Sequence, residues 1–186
     1  MKDKLLLCTV VLALFAESAQ PGQITNWRNY KNQRWGFCVA YPRGWGHNEG
    51  VNNAGIAVFP VQDSPPGLQS QISVGALPPG RVNGHLLTLE ESFEGEDEVL
   101  REGGATGLVV LDKHNLTFSG QPALFRKIRY KEKSSGAVWV EETIAFQSGP
   151  NYYFQLKCHP PELAELEPVF NKMVFKTFRS ECRHEH

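Results

Sequence analysis

The sequence lacks the short motifs by which common enzymes hold a nucleophile, a phosphate group or a metal ion. It contains no Gly-x-Ser-x-Gly elbow, no His-Glu-x-x-His pair and no glycine-rich loop that leads into a helix through a lysine. It also lacks an excess of charge, because 19 Lys and Arg face 20 Asp and Glu. This balance argues against a nucleic acid or an anionic membrane as the partner. We therefore expect no catalytic residues, no cofactor and no metal site.

Long apolar segments are absent except at the N-terminus. Lys2 and Lys4 precede an apolar run, Leu5 to Ala16, and small residues follow it. This run is shorter than the roughly 20 residues that a transmembrane helix needs, and its layout is typical of a secretory signal peptide. We predict a signal peptide at residues 1–19, export to a periplasmic or extracellular space, and no integral membrane segment once it is removed.

Cysteine is scarce. Beyond Cys8, in the predicted signal peptide, the chain has Cys38, Cys158 and Cys182, and no Cys-x-x-Cys spacing occurs. The absence of this spacing excludes a zinc knuckle and a thioredoxin-type redox motif. Export permits a disulfide, and the odd count then leaves one thiol unpaired.

The remaining chain reads as one domain rich in β-strands. Seven runs are predicted as strands: 35–41, 55–60, 70–77, 107–118, 122–133, 137–147 and 151–158. Thr88 with Glu91 forms the signature of a capping box, which predicts a helix ending near Gly103. A second helix follows the last strand and contains Pro168, which predicts a kink or a break. The polar residues 20–33 are predicted as a lead-in segment.

The stretch "LFRKIRYKEKSSGAVWVEETIAF" predicts a hairpin around a three-residue loop, 134–136. This register pairs Tyr130 with Val140 and places Trp139 on the solvent-facing side. It also puts Arg126 and Glu142 diagonally on the apolar face. Either these two side chains reach solvent at the sheet edge, or they form a partly buried ion pair at the mouth of a cleft.

Two other clusters of ionisable residues are expected to carry no chemistry. The acidic residues between Glu90 and Glu102 do not follow the spacing of a calcium-binding loop, and we interpret them as one solvated helix face. His184 and His186 lie at the chain end, where a closed coordination sphere is rare.

Three stretches together resemble the PsbP-like proteins, whose fold is shared by a Ran-binding nuclear-transport accessory protein and by DcrB-type envelope proteins. They are "YKNQRWGFCVAYPRGW", "GQPALFRKIRY" and "YYFQLKCHPPELAELEPVFNKMVFKTF", and the resemblance spans roughly residues 28–178. It implies an α+β fold, an α/β/α sandwich with a mainly antiparallel sheet of about six or seven strands. The predicted domain covers residues 34–178, and residues 179–186 form a tail.

The cysteines depart from the PsbP-like pattern, which suggests a local disulfide. We favour a pair between Cys158 and Cys182, because the second helix and an extended return bring their segments together. Cys38 is the alternative partner of either residue.

The resemblance implies a binding or assembly factor without catalysis, whose partner is another envelope or secreted protein. We place its candidate binding surface near Trp45, Arg126, Trp139 and Glu142. An alternative is a hydrolase-like enzyme with an unfamiliar site, such as His47 with Glu49. A structural envelope protein without a ligand is the third possibility.

Overall fold

A computed structural model describes residue 24 and residues 26–61 and 68–182, so the predicted signal peptide lies outside the described residues. The strands are β1 (Trp27–Lys31), β2 (Cys38–Pro42), β3 (Gly46–Glu49), β4 (Gly55–Phe59), β5 (Gln71–Leu77), β6 (Arg81–Val82), β7 (His85–Leu86), β8 (Ala105–Phe118), β9 (Gln121–Glu132), β10 (Val138–Gln147) and β11 (Asn151–Cys158). The helices are α1 (Leu89–Glu102) and α2 (Leu163–Asn171). A 3-10 turn, Pro160–Glu162, precedes α2, and a π-helical segment, Lys172–Thr177, follows it.

Seven strands form one sheet in the order β3-β4-β5-β11-β10-β9-β8, and every pair of neighbours is antiparallel. Each of the seven predicted runs overlaps an observed strand, and the expected α+β class is confirmed. The predicted lead-in, 20–33, needs correction because it contains β1, which pairs with β2 in a separate hairpin. The short strands β6 and β7 form a third ladder just before α1.

Both helices lie where the sequence predicts them. Thr88 caps α1 through a full capping box, in which its hydroxyl accepts from the Glu91 amide and its own amide donates to the Glu91 carboxylate. Pro168 lies inside α2. The two helices cover opposite faces of the sheet, which gives the expected α/β/α arrangement.

The two faces are best defined on the central strand β10, where side chains alternate. The α1 face carries Trp139, Glu141, Thr143 and Ala145. The aromatic face carries Val140, Glu142, Ile144 and Phe146. On the aromatic face the sheet packs against β2, α2 and the π-helical segment in one large core, whereas the α1 face has two small apolar clusters.

The hairpin between β9 and β10 has a different register from the predicted one. Glu132 donates its amide to the Ala137 carbonyl, so four residues form the loop and Tyr130 lies opposite Trp139. The Ser135 hydroxyl holds this longer turn, since it accepts from the Ala137 amide. The shift of one residue turns Trp139 towards the core and places Arg126 and Glu142 on opposite faces.

The disulfide joins Cys38 to Cys182, with 5.4 Å between their Cα atoms, and Cys158 is free and buried. The disulfide that we favoured from the sequence, Cys158 with Cys182, is therefore wrong. Cys182 pairs with Cys38, the alternative partner. After the π-helical segment the chain returns along β2, where Cys38 and Arg179 exchange two backbone hydrogen bonds. Residues 179–182 thus pack on the domain, although we predicted them as part of a tail.

Candidate functional site

A cleft of about 460 Å³ lies between α1 and the α1 face of the sheet, beside the ends of β5 and β11. Its walls are largely apolar and include Leu77, Phe93, Val99 and Tyr153. Leu77 and Val99 are 48% and 66% exposed, so the rim presents apolar side chains to solvent. The volume lies in the range of pockets that bind small ligands or an anchoring side chain.

Two glycines shape this cleft. Gly75 faces Tyr153 across the sheet, and a Cβ built on Gly75 would lie 2.3 Å from the tyrosine oxygen, so the ring lies directly over the glycine. Gly95 lies on the cleft side of α1, where an added Cβ would meet no atom within 4 Å. A glycine inside a helix costs about 0.5–1 kcal/mol relative to alanine. Gly95 therefore leaves space open at the cleft at a cost to helix stability.

Two buried polar atoms in the cleft walls have no hydrogen-bond partner among the described residues. They are the hydroxyl oxygen of Thr143, a residue only 4% exposed, and the side-chain oxygen of Asn151. A buried polar group without a partner typically costs 1–3 kcal/mol. Both atoms have almost no solvent-exposed surface, so neither is open to a ligand in the cleft as it stands.

Arg126 crosses from the sheet to α1 beside the cleft. Its guanidinium donates to the Phe93 carbonyl at 2.9 Å and to Asp97 and Glu96 at 2.5 Å each. The guanidinium also lies 4.3 Å from the centroid of the Phe93 ring. One cation thus faces two carboxylates, and burial raises the pKa of Glu96 despite the attraction of Arg126.

A second buried carboxylate, Glu141, lies on the same face. Its two oxygens accept from the Gln155 side-chain amide at 2.8 Å and from the Tyr130 hydroxyl at 3.3 Å. Burial raises the pKa of Glu141 to about 7, and the negative charge of Glu96 acts in the same direction. Because Gln155 also lines the cleft, it connects Glu141 to the candidate site.

The structure does not bring the four predicted surface residues together. Trp139 is fully buried, with its ring stacked on His159, and Arg126 is 2% exposed. Glu142 lies on the aromatic face, where it pairs with Lys127 at 2.6 Å, and Trp45 packs against the aromatic core. Of the four, Arg126 alone belongs to the network beside the cleft.

The acidic stretch of α1 also needs correction, because Glu96 and Asp97 turn inwards to Arg126 instead of facing solvent. The signal was present in the sequence. Glu96 and Asp97 follow Phe93 by three and four residues, which places them on the same side of the helix as this buried ring.

The pair considered for catalysis, His47 with Glu49, lies apart from this cleft. His47 and Glu49 line a separate polar pocket of about 220 Å³ next to β1, and both are exposed. His85 approaches Glu91 at 3.6 Å on the surface. Burial raises the pKa of the Cys158 thiol to about 12, which leaves little thiolate at neutral pH. Within residues 26–61 and 68–182 no group of three or more metal-binding side chains is close enough to hold an ion.

None of the helices in the described part of the chain has the length and apolar character needed to cross a membrane.

No protein-family model matches the chain, and no curated protein matches its sequence. Similarity appears instead at the level of structure. The chain is similar to the cyanobacterial PsbP protein CyanoP from Synechocystis sp. PCC 6803, with a TM-score of 0.59 and 13% identity over 82% of this chain and 91% of that one. A structure from Bacteroides thetaiotaomicron gives a TM-score of 0.51 and 10% identity, and the match covers 86% of this chain and 50% of that one.

LpqN of Mycobacterium tuberculosis, described as involved in cell envelope biogenesis, gives a TM-score of 0.48 at 16% identity over 82% of this chain and 89% of that chain. This likeness is too remote to carry an argument. The similarity to CyanoP, over nearly the full length of both chains, confirms the predicted PsbP-like fold.

Proposed function

We propose that this chain is an exported accessory domain that acts by binding another envelope or secreted protein and catalyses no reaction. The observation that carries the proposal is the open cleft under α1, whose walls are largely apolar and whose rim presents Leu77 and Val99 to solvent. A surface that anchors a partner side chain typically has this composition. The PsbP-like fold supports the proposal, because the resemblance implies accessory proteins.

The disulfide between Cys38 and Cys182 supports export, since such bonds persist in oxidising compartments. The disulfide lies on the aromatic face, where it fixes the C-terminal segment to β2 and closes this face. The cleft is on the other face and is free of this constraint.

The proposal is tested with acetyl-Phe-amide, a neutral aromatic probe, in an NMR titration of the purified protein. We expect amide shifts around Gly95, Thr143 and Tyr153 and a dissociation constant on the order of 1 mM, because the probe has few atoms. Gly95→Leu should weaken this binding at least tenfold, since the new side chain projects over the cleft.

Glu94→Leu is the matched control. It adds a leucine to an exposed position of the same helix that does not line the cleft, and the probe should bind as to the unchanged protein. Shifts confined to other surfaces, or equal binding by the Gly95→Leu variant, would contradict a binding role for the cleft.

A further inference from the structure

The cleft has an uneven distribution of charge. Among the described residues that line it, the one charged side chain is Glu96. Arg126 contacts Glu96 through one carboxylate oxygen only, and no described residue donates to the other. Glu96 is 36% exposed in its side chain, so its carboxylate is accessible from the cleft.

The neighbouring charges do not neutralise this carboxylate. Arg126 is shared between Glu96 and Asp97, which leaves the cluster of three with a net charge of −1 when both carboxyls are ionised. Lys157 adds one positive charge on the same face, where it lies over the Trp139 ring at 4.5 Å, and Glu141 adds a carboxylate. Above the pKa of Glu141, about 7, this carboxylate is ionised for the most part, the sum over the five groups is −1, and the cleft attracts cations.

Uncharged groups in the walls also suit a ligand that carries a cation next to an aromatic ring. Gln155 donates one of its two amide hydrogens to Glu141, and its side-chain oxygen can accept from a ligand. The ring of Tyr153 adds a π face, which attracts a cation and packs against an aromatic ring.

From these observations we infer that the cleft binds a segment of the partner protein in which a large apolar side chain stands next to a lysine or an arginine. The apolar side chain packs between Phe93 and Tyr153, and the cation reaches the free oxygen of Glu96. This inference rests on the proposed function, because it names the chemistry of the partner at the same site. The exposed rim residues Leu77 and Val99 favour a polypeptide, since they offer apolar surface beyond the pocket itself.

The test compares acetyl-Phe-Lys-amide with acetyl-Phe-Glu-amide by NMR titration at low salt and near pH 7.5. We expect the lysine peptide to bind about fivefold more tightly than the glutamate peptide, because one partly exposed ion pair has an effect of this size. The ratio of the two affinities should shrink in high salt. Glu96→Gln should bring the ratio of the two affinities close to one. Glu94→Gln removes the same charge at an exposed position outside the cleft and should preserve most of the ratio.

The outcomes separate the inference from the proposed function. Binding of acetyl-Phe-amide in the cleft together with equal affinities for the two charged peptides would overturn the inference alone. Failure of all three peptides to bind there would overturn the proposed function. Phenethylamine that binds as tightly as the lysine peptide would show a site for a small amine and would overturn the assignment to a protein segment.

Discussion

The two faces of the sheet differ in chemistry although the same strands build both. On the aromatic face, Phe146 and Phe154 pack with Phe118 and Phe178 in a continuous core that α2 and the disulfide close. On the α1 face, Phe93 packs with Leu124 and Ala145 in a small cluster, and charged residues occupy much of the remaining space. One face is largely apolar and closed, and the other carries the Arg126 network and an open cleft.

This difference separates the source of stability from the site of binding. Apolar burial is the main favourable contribution to folding, so the aromatic face should dominate the free energy of unfolding. The Arg126 network gives a smaller net gain, because ion pairs must offset the desolvation of their own charges. Substitutions on the two faces should therefore have distinguishable effects.

The largest expected effect is the loss of an aromatic side chain from the closed face. Phe154→Ala should lower the free energy of unfolding by about 3–5 kcal/mol, because Phe154 is fully buried. Urea denaturation followed by tryptophan fluorescence measures the change. Phe154→Leu keeps most of the side-chain volume and should lose far less unfolding free energy. It replaces the alanine variant in the measurement if that variant does not fold. A loss below 1 kcal/mol for the alanine variant would contradict the assignment of stability to this face.

Removal of the disulfide should have the next largest effect. The double variant Cys38→Ser, Cys182→Ser should lose about 2–4 kcal/mol of unfolding free energy, since the bond constrains a long segment of the unfolded chain. Peptide binding in the cleft on the opposite face should persist.

A thiol count on the exported protein, denatured without reductant, should find one free thiol in residues 20–186, that of Cys158. Three thiols would contradict the disulfide.

The α1 face should make stability depend on pH through Glu141. Its pKa of about 7 in the folded protein exceeds the ordinary value of 4.5, so between these values the folded state keeps a proton that the unfolded state has lost. The free energy of unfolding should therefore fall by about 2 kcal/mol as pH rises from 5 to 7.5. Glu96 should add to this fall in stability with rising pH, because burial raises its pKa too.

Glu141→Gln tests this assignment, because glutamine keeps the acceptor for Gln155 and offers a donor to the Tyr130 oxygen without titrating. Urea denaturation at a series of pH values should give a flatter profile for the variant than for the unchanged protein. A stability of the unchanged protein that stays flat between pH 5 and 7.5 would contradict the assignment, because it would mean that the Glu141 carboxyl is already ionised at pH 5.

The strands and helices were predicted from local patterns, and the sandwich that they form was predicted from the resemblance to PsbP-like proteins. Short β-rich runs bounded by Gly and Pro marked seven of the strands, and the capping box at Thr88 marked α1. The short strand β3 was missed because its residues are largely polar and exposed. The disulfide depended on the path of the chain beyond the π-helical segment, which no local pattern specifies.

The candidate site was harder to predict, because topology assembles it. Thr143, Asn151 and Gly95 come from two strands and a helix, and none belongs to a recognisable motif. Arg126 and Glu142 were expected either to reach solvent at the sheet edge or to pair with each other. Both are buried instead, on opposite faces of the sheet, and they pair with other residues. The error follows from one extra loop residue, since a register shift of one moves every side chain of β10 to the other face.

The smallest expected effect tests the open space on the α1 face with a single methyl group. Gly95→Ala should raise the free energy of unfolding by about 0.5–1 kcal/mol, because alanine favours the helix and its Cβ meets no atom within 4 Å. Urea denaturation measures the gain, and acetyl-Phe-amide should bind slightly more weakly. Gly75→Ala is the contrasting control on the same face: its Cβ would collide with Tyr153 and should destabilise the protein. If Gly95→Ala were also destabilising, the space beside α1 would not be open, and the cleft could not accept a side chain from a partner.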